Sequence, residues 1–166
     1  MILIALGANL PSHAGTPAEN VRAALGVLER KGIRPVTISP LYASPAWPDP
    51  NDPEYVNGVA SVETSLEPQA LIVCLHEVES LFGRTRNEKN APRPLDLDIL
   101  DYAGRICAAN PVLPHPRLQT RAFVLLPLRD VAPDWHHPVS GKSVGELIAA
   151  LPQSDCDSVR PLGLQT

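Results

Sequence analysis

Strand and helix signals alternate along this 166-residue chain in the order strand, helix, strand, strand, helix, strand, which predicts an α+β fold of the split βαβ, ferredoxin-like kind. Two observations carry the prediction. Short apolar runs bounded by Gly, Asn or Pro mark the strands, and two longer stretches with apolar residues at helical spacing mark the helices. Such an antiparallel sheet is expected to carry its helices on one face and leave the other free for a site, with additions at the C-terminal end.

Each element has a local reason. Ile2–Leu6 is an apolar run ended by Gly7-Ala8-Asn9, so it reads as a buried first strand. Thr16-Pro17-Ala18-Glu19 opens a helix, with Thr as N-cap, Pro at the first position and Glu at the third. Val21, Leu25 and Leu28 form its apolar stripe, and Gly32 closes it. Val36–Tyr42 reads as a strand and Val56–Thr64 as its partner across a proline-rich loop from Pro45 to Pro53. Leu66-Glu67-Pro68 opens a second helix with Leu71, Leu75, Val78 and Phe82 on one stripe and Gly83 at its end. The fourth strand carries Asp96 and Asp98, and the apolar run Phe123–Leu128 is expected as a late strand. Ser143-Val144-Gly145-Glu146 is a capping box for a closing helix through Leu151.

Composition sets the frame. The length suits a single domain over residues 1–166, and 44% apolar residues suit a globular protein. A net charge of −4 gives no global reason to expect nucleic acid as a partner, so any phosphate affinity must be local. Cys74, Cys107 and Cys156 are odd in number and widely spaced, which suits reduced thiols in a cytoplasmic protein, with Cys74 packing in the core. The opening apolar run is too short and lacks the basic flank of a signal peptide, and no segment has the length to span a membrane. The nineteen prolines are spread as punctuation, with no internal repeat and no domain boundary.

The chemistry concentrates in Lys89-Asn90-Ala91-Pro92-Arg93-Pro94-Leu95-Asp96-Leu97-Asp98-Ile99-Leu100. Residues i and i+2 of a strand leave the same face, about 6.6 Å apart along the backbone. Two carboxylates so placed repel each other unless a cation or proton relieves them, and Mg²⁺ takes such oxygen ligands together with substrate phosphates. An isolated pair would equally suit a solvated strand face. Here Arg84, Arg86, Lys89 and Arg93 precede it in a ten-residue span, and Arg117 and Arg121 follow. Planar guanidinium forks suit phosphate oxygens, so acids beside arginines point to an anionic, metal-bound substrate.

His115, between Pro114 and Pro116, is held stiffly enough to serve as a donor aimed at phosphate, or is a plain loop histidine. Tyr55, Asn57 and Phe123 are candidates for holding a flat heterocycle, with core packing as the alternative; Trp47 is a candidate lid. His136-His137 lacks a third ligand at metal spacing and reads as loop, and His13 has no assignment. Ser140-Gly141-Lys142-Ser143 ends like a phosphate-binding loop, but His136 stands where its first glycine is required.

The run K-x-A-P-R-x-x-D-L-D-I-L resembles the signature of the 6-hydroxymethyl-7,8-dihydropterin pyrophosphokinase family. The resemblance extends through Leu6-Gly7-Ala8-Asn9-Leu10, Tyr42-Ala43-Ser44-Pro45, Tyr55-Val56-Asn57, Glu79, Gly83-Arg84, and Leu113-Pro114-His115-Pro116-Arg117 to Arg121-Ala122-Phe123. It implies pyrophosphate transfer from ATP to the pterin hydroxymethyl oxygen, with release of AMP. It also implies two Mg²⁺ ions on Asp96 and Asp98, and Arg84, Arg86 and Arg93 on the triphosphate from a closing loop over residues 83–94. By the same resemblance His115 and Arg121 bind the triphosphate from the other side, while His76, Glu79 and Ile99 contact the nucleotide. The pterin is implied between Tyr55 and Phe123, its edge read by Asn57 and the Ser44, Pro45 and Trp47 segment. The family leans toward a monomer. Asn90 stands where some members place a tryptophan over the site, and residues 103–111 resemble the family only loosely. Two other readings stay open here: a Mg²⁺-dependent phosphohydrolase on the same residues, and a non-catalytic binding module of the same fold.

Overall fold

β1 (Ile2–Ala8) is an inner strand of the sheet, and its sequence explains why: six of its seven residues are buried, as a strand covered on both faces requires. In the computed structural model, which describes residues 1–85 and 90–163, β1 pairs antiparallel with β4 (Tyr55–Glu63) on one side and β5 (Asp96–Tyr102) on the other. β2 (Arg34–Ile38) and β3 (Tyr42–Ser44) share the far edge of β4, one at each end. β6 (Arg160–Pro161) adds to β3. The segment expected as one strand over Val36–Tyr42 is therefore two. Pro40 has no N–H for the ladder, and Ser39 bridges the break, its Oγ accepting from Val59 N–H at 3.0 Å and donating to the Pro40 carbonyl at 2.8 Å.

α1 (Pro17–Arg30) and α2 (Pro68–Leu81) lie on the first face. The Thr16–Glu19 capping box forms as expected, and the Glu19 carboxylate fills the space beside Gly15, where a Cβ would come within 2.3 Å of it. Gly32 and Gly83 follow the two helices with φ of +79° and +87°, the left-handed exit that glycine tolerates. Val21, Leu28, Leu71, Leu75, Val78 and Phe82 pack on Ile4, Leu6, Leu97 and Ile99 in the main core, with Cys74 at its margin.

The second face is not free. Phe123–Leu128 belongs to a helix, α3 (Ala122–Val131), which lies on that face. The run is too short for periodicity alone to separate a buried strand from a buried helix. Val124, Leu125, Leu128 and Val131 meet Leu3, Val59 and Leu100 of the sheet, whereas Ala122 and Leu126 meet Tyr42 and Val159. Burial on both sides holds the helix despite Pro127, which gives up the bond to the Phe123 carbonyl. The closing helix is shorter than expected: α4 (Val144–Ala149), started by the Ser143–Glu146 box, is followed by a separate α5 (Gln153–Asp157).

Two contacts here yield measurable consequences. The Tyr42 hydroxyl donates to Asp130, tying β3 to α3, and burial followed by that bond raises its pKa to about 12. Tyr42→Phe is expected to cost about 1 kcal/mol of stability, read by urea unfolding, because exposed Asp130 is readily re-hydrated. His137 is buried; its Nδ1 accepts from Val139 and Ser140 N–H at 3.3 and 3.2 Å, and burial lowers its pKa despite Asp101. With the folded pKa below the unfolded value, the unfolded chain binds the extra proton. Stability from this group is thus present above about pH 6.5 and is lost as pH falls through the folded pKa. His137→Gln is expected to flatten that part of the stability–pH curve.

Candidate active site

The site grows from the register of three strands. Gly7 of β1 lies opposite Asn57 on β4 and Asp96 on β5; Ala5 lies opposite Val59 and Asp98. A Cβ on Gly7 would lie 3.7 Å from Asn57 Oδ1 and 3.8 Å from Asp96 Cβ, so the two small residues form the floor of a depression. Strand alternation sends Leu97 and Ile99 into the main core and leaves Asp96 and Asp98 on the second face, 42% and 45% exposed. α3 covers the rest of that face and brings Phe123 and Arg121 to the depression, beside His115.

Both carboxylates are held by basic groups. Asp96 Oδ1 accepts from Arg84 Nη1 and lies 3.4 Å from Arg93 Nη1. Asp98 Oδ2 is 3.1 Å from His115 Nε2. His115 Nδ1 accepts from the Arg117 N–H at 3.1 Å, which leaves the proton on Nε2 to donate to Asp98. The His115 N–H in turn donates to the Leu100 carbonyl at 2.9 Å, fixing the residue to β5. Arg121, half-buried, has its pKa lowered by burial and by Arg117, with both aspartates opposing the shift. Its guanidinium lies 5.5 Å from the Phe123 ring centroid, and that of Arg93 lies 6.0 Å from Tyr55.

The other expected residues fall around this centre in different ways. Asn57 donates from Nδ2 to Ser44 Oγ at 2.8 Å, both buried, while Pro45 is exposed. Trp47 is 62% exposed, with the Arg117 guanidinium 5.9 Å from its ring. Glu79 is turned inward: its Oε1 accepts from the Leu97 N–H at 2.7 Å and from Arg84 at 2.6 Å, so it orients Arg84 from behind. The Ile99 side chain packs in the core, which leaves its main chain alone for any ligand contact. His76, on α2, is outside the lining of the depression. Arg86 and Lys89 lie outside the described residues. Asn90 adopts φ +61°, a left-handed conformation in which asparagine is several-fold enriched.

Sequence reasoning gave no individual role to Ala5, Gly7, Asn9 or Asn20. Small residues at alternate positions of an otherwise bulky strand were the available signal for the floor. No such signal marked Asn9 and Asn20, whose bonds to Arg93 and Pro94 span 84 and 74 residues.

The donor set fits a divalent cation. Two half-exposed carboxylates on one strand face supply hard oxygens, and Mg²⁺ is commonly held by one or two carboxylates together with substrate phosphates. Among the described residues there is no group of three or more His, Cys, Asp or Glu that could hold a metal.

Paired acids ringed by arginines on an antiparallel sheet suit an enzyme that handles a polyphosphate. A family model described as 7,8-dihydro-6-hydroxymethylpterin-pyrophosphokinase matches residues 3–133, and the chain belongs to that family. It is 40% identical over 162 residues to a 2-amino-4-hydroxy-6-hydroxymethyldihydropteridine pyrophosphokinase of Synechocystis, covering 96% of this chain and 79% of that one. The protein of the same description from Pseudomonas aeruginosa is 41% identical over 153 residues, 91% of each chain. Among solved structures, an HPPK-DHPS of Plasmodium falciparum is similar with a TM-score of 0.66 at 15% identity, over 89% of this chain and 43% of that one. That likeness speaks to the fold, and this chain spans under half of the Plasmodium chain.

Proposed function

We propose that Asp96, Asp98, Arg84, Arg93, His115 and Arg121 form the centre at which this chain transfers pyrophosphate from ATP to the hydroxymethyl group of 6-hydroxymethyl-7,8-dihydropterin, releasing AMP. Family membership makes the chain a transferase of folate biosynthesis that uses ATP and the pterin. The observation that carries the site assignment is the open Asp96/Asp98 face with four basic side chains converging on it from the two connections that flank β5.

In this reading Asp96 and Asp98 would hold two Mg²⁺ ions, which would supply positive charge to the triphosphate. Arg84, Arg93 and Arg121 take up phosphate charge, and the His115 Nε2–H is placed to donate to the same oxygens. Phosphoryl-type transfer asks mainly for positioning and charge neutralisation, so no strong general base is required. The pterin lies between Tyr55 and Phe123, replacing the guanidiniums now near those rings, and Asn57 with Ser44 reads its edge. Ferredoxin-like topology is the matching fold description, supported by the order β5-β1-β4 with β2 and β3 sharing the outer edge. We also assign a cytoplasmic monomer: the three free cysteines support the compartment, and the monomer follows the family resemblance alone.

AMP formation from ATP and Mg²⁺, with and without the pterin, tests the reading. AMP that requires the pterin is the expected result. ADP, or turnover independent of pterin, would point to a phosphohydrolase, and no turnover by folded protein would leave a binding module.

A further inference from the structure

The main chain of Arg93-Pro94 has three hydrogen-bonding groups, and each is taken by a residue outside the arginine loop. The Arg93 N–H donates to Asn9 Oδ1 at 2.7 Å. The Arg93 carbonyl accepts from the Asn9 and Leu10 N–H groups at 3.0 and 3.2 Å. The Pro94 carbonyl accepts from Asn20 Nδ2 at 2.9 Å. Asn20, on α1, has no exposed surface, and its amide is fully engaged: Nδ2 also donates to the Leu10 carbonyl at 3.0 Å, and Oδ1 accepts from Ser12 Oγ at 2.6 Å. Asn9, also buried, donates from Nδ2 to the Pro53 carbonyl at 3.1 Å, two residues before Tyr55. A buried amide is tolerated when its hydrogen bonds are made, and removing it strands the carbonyls it served.

We infer that Asn20, with Asn9, is a positioning residue for the reaction: the two amides clamp the backbone at residues 93–94, so that Arg93 reaches phosphate by a side-chain swing from a fixed main chain. The Arg93 side chain has the contacts to make such a swing. It is now folded back, its Nε donating to the Ala91 carbonyl at 3.1 Å and its Nη1 beside Asp96. Because the main chain is held from the segment just after β1 and from α1, an arginine 84 residues from Asn9 in sequence sits at a defined distance from the carboxylate pair. The inference rests on the phosphate role proposed for Arg93.

Asn20→Ala, Asn9→Ala, Ser12→Ala and Arg93→Ala, with the doubles Asn20→Ala/Arg93→Ala and Asn9→Ala/Arg93→Ala, form the test, each assayed for kcat and for KM of both substrates alongside a thermal melt. Asn20→Ala is expected to lower kcat about ten-fold or more, since displacement of a reacting group by about 1 Å can cost about a hundred-fold. Its KM for the pterin should stay within about two-fold, because Asn20 touches nothing on the Tyr55 side. Ser12→Ala removes the third contact of the same amide and should move the melt more than kcat. In the Arg93→Ala background the Asn20 substitution should add less than about two-fold, as expected of residues acting through one group. If Asn20→Ala does not fold, the Asn9→Ala cycle carries the same comparison. Multiplicative losses in the cycle, or a folded Asn20→Ala with full kcat, would overturn the clamp while leaving the Arg93 assignment standing. Full turnover by Arg93→Ala alone would remove both.

Discussion

Asp98→Ala is expected to lower turnover by about a thousand-fold or more while leaving the fold intact. The catalytic half of this expectation rests on charge. In the proposed site the nucleotide would bring further negative charge beside two carboxylates, a divalent cation on Asp96 and Asp98 would offset it, and Asp98→Ala removes one of the two carboxylates proposed to hold that cation. Losing one electrostatic contact at a reacting centre already costs about a hundred- to a thousand-fold in other enzymes, and losing a metal ligand should cost no less. The structural half rests on exposure. Asp98 is 45% exposed and contributes nothing to the cores built by its neighbours Leu97, Ile99 and Leu100. Its partner His115 keeps its backbone bond to Leu100 and its Nδ1 bond to Arg117, so the imidazole stays in place. Thermal unfolding within a few degrees of wild type, together with loss of Mn²⁺ binding in the presence of nucleotide, is the expected pair of results. A folded variant with near-normal turnover would sink the assignment of the carboxylate pair.

Where the signal was local, sequence and structure place the same residues together. The Asp96/Asp98 pair, its shared strand face and the arginines at 84 and 93 follow from spacing and charge alone, and Thr16–Glu19 and Ser143–Glu146 are both formed as capping boxes. Local patterns failed where a partner far along the chain decides the conformation. Phe123–Leu128 is apolar whichever way it folds, and its helical state depends on a sheet face and on Tyr42, which it meets only in three dimensions. That error had a consequence for the site, because Phe123 and Arg121 reach the depression from a helix lying across the sheet. Val36–Tyr42 failed more simply, since the missing N–H of Pro40 was visible but its weight against the alternation of Val36 and Ile38 with Thr37 and Ser39 was not. Glu79 shows a third case. The family resemblance implied a nucleotide contact for it, whereas its inward turn to bond Arg84 and the Leu97 N–H depends on how α2 packs against β5.

Arg84→Ala should separate stability from catalysis in a way that tests this arrangement from behind the carboxylates. Glu79 is 1% exposed and Arg84 12%, so their contact lies in a poorly solvated setting where removing one partner of an ion pair costs about 3–5 kcal/mol when burial is complete. The residual exposure of Arg84 lets water in, and a loss of about 2–4 kcal/mol is expected. For a chain of this size that is a fall of roughly 5–15 °C in the melting temperature. Turnover should also drop, by about a hundred-fold or more, because the guanidinium that now bridges Glu79 and Asp96 is the one proposed to meet the triphosphate. The double variant Arg84→Ala/Glu79→Gln distinguishes the two effects. Glutamine keeps an oxygen for the Leu97 N–H and carries no charge, so part of the lost stability should return. Turnover should not return, since no cation has been restored beside Asp96. Recovery of turnover in the double variant would mean that Arg84 serves only to neutralise Glu79, and a single Arg84→Ala variant melting like wild type would mean that the Glu79 carboxylate does not depend on it.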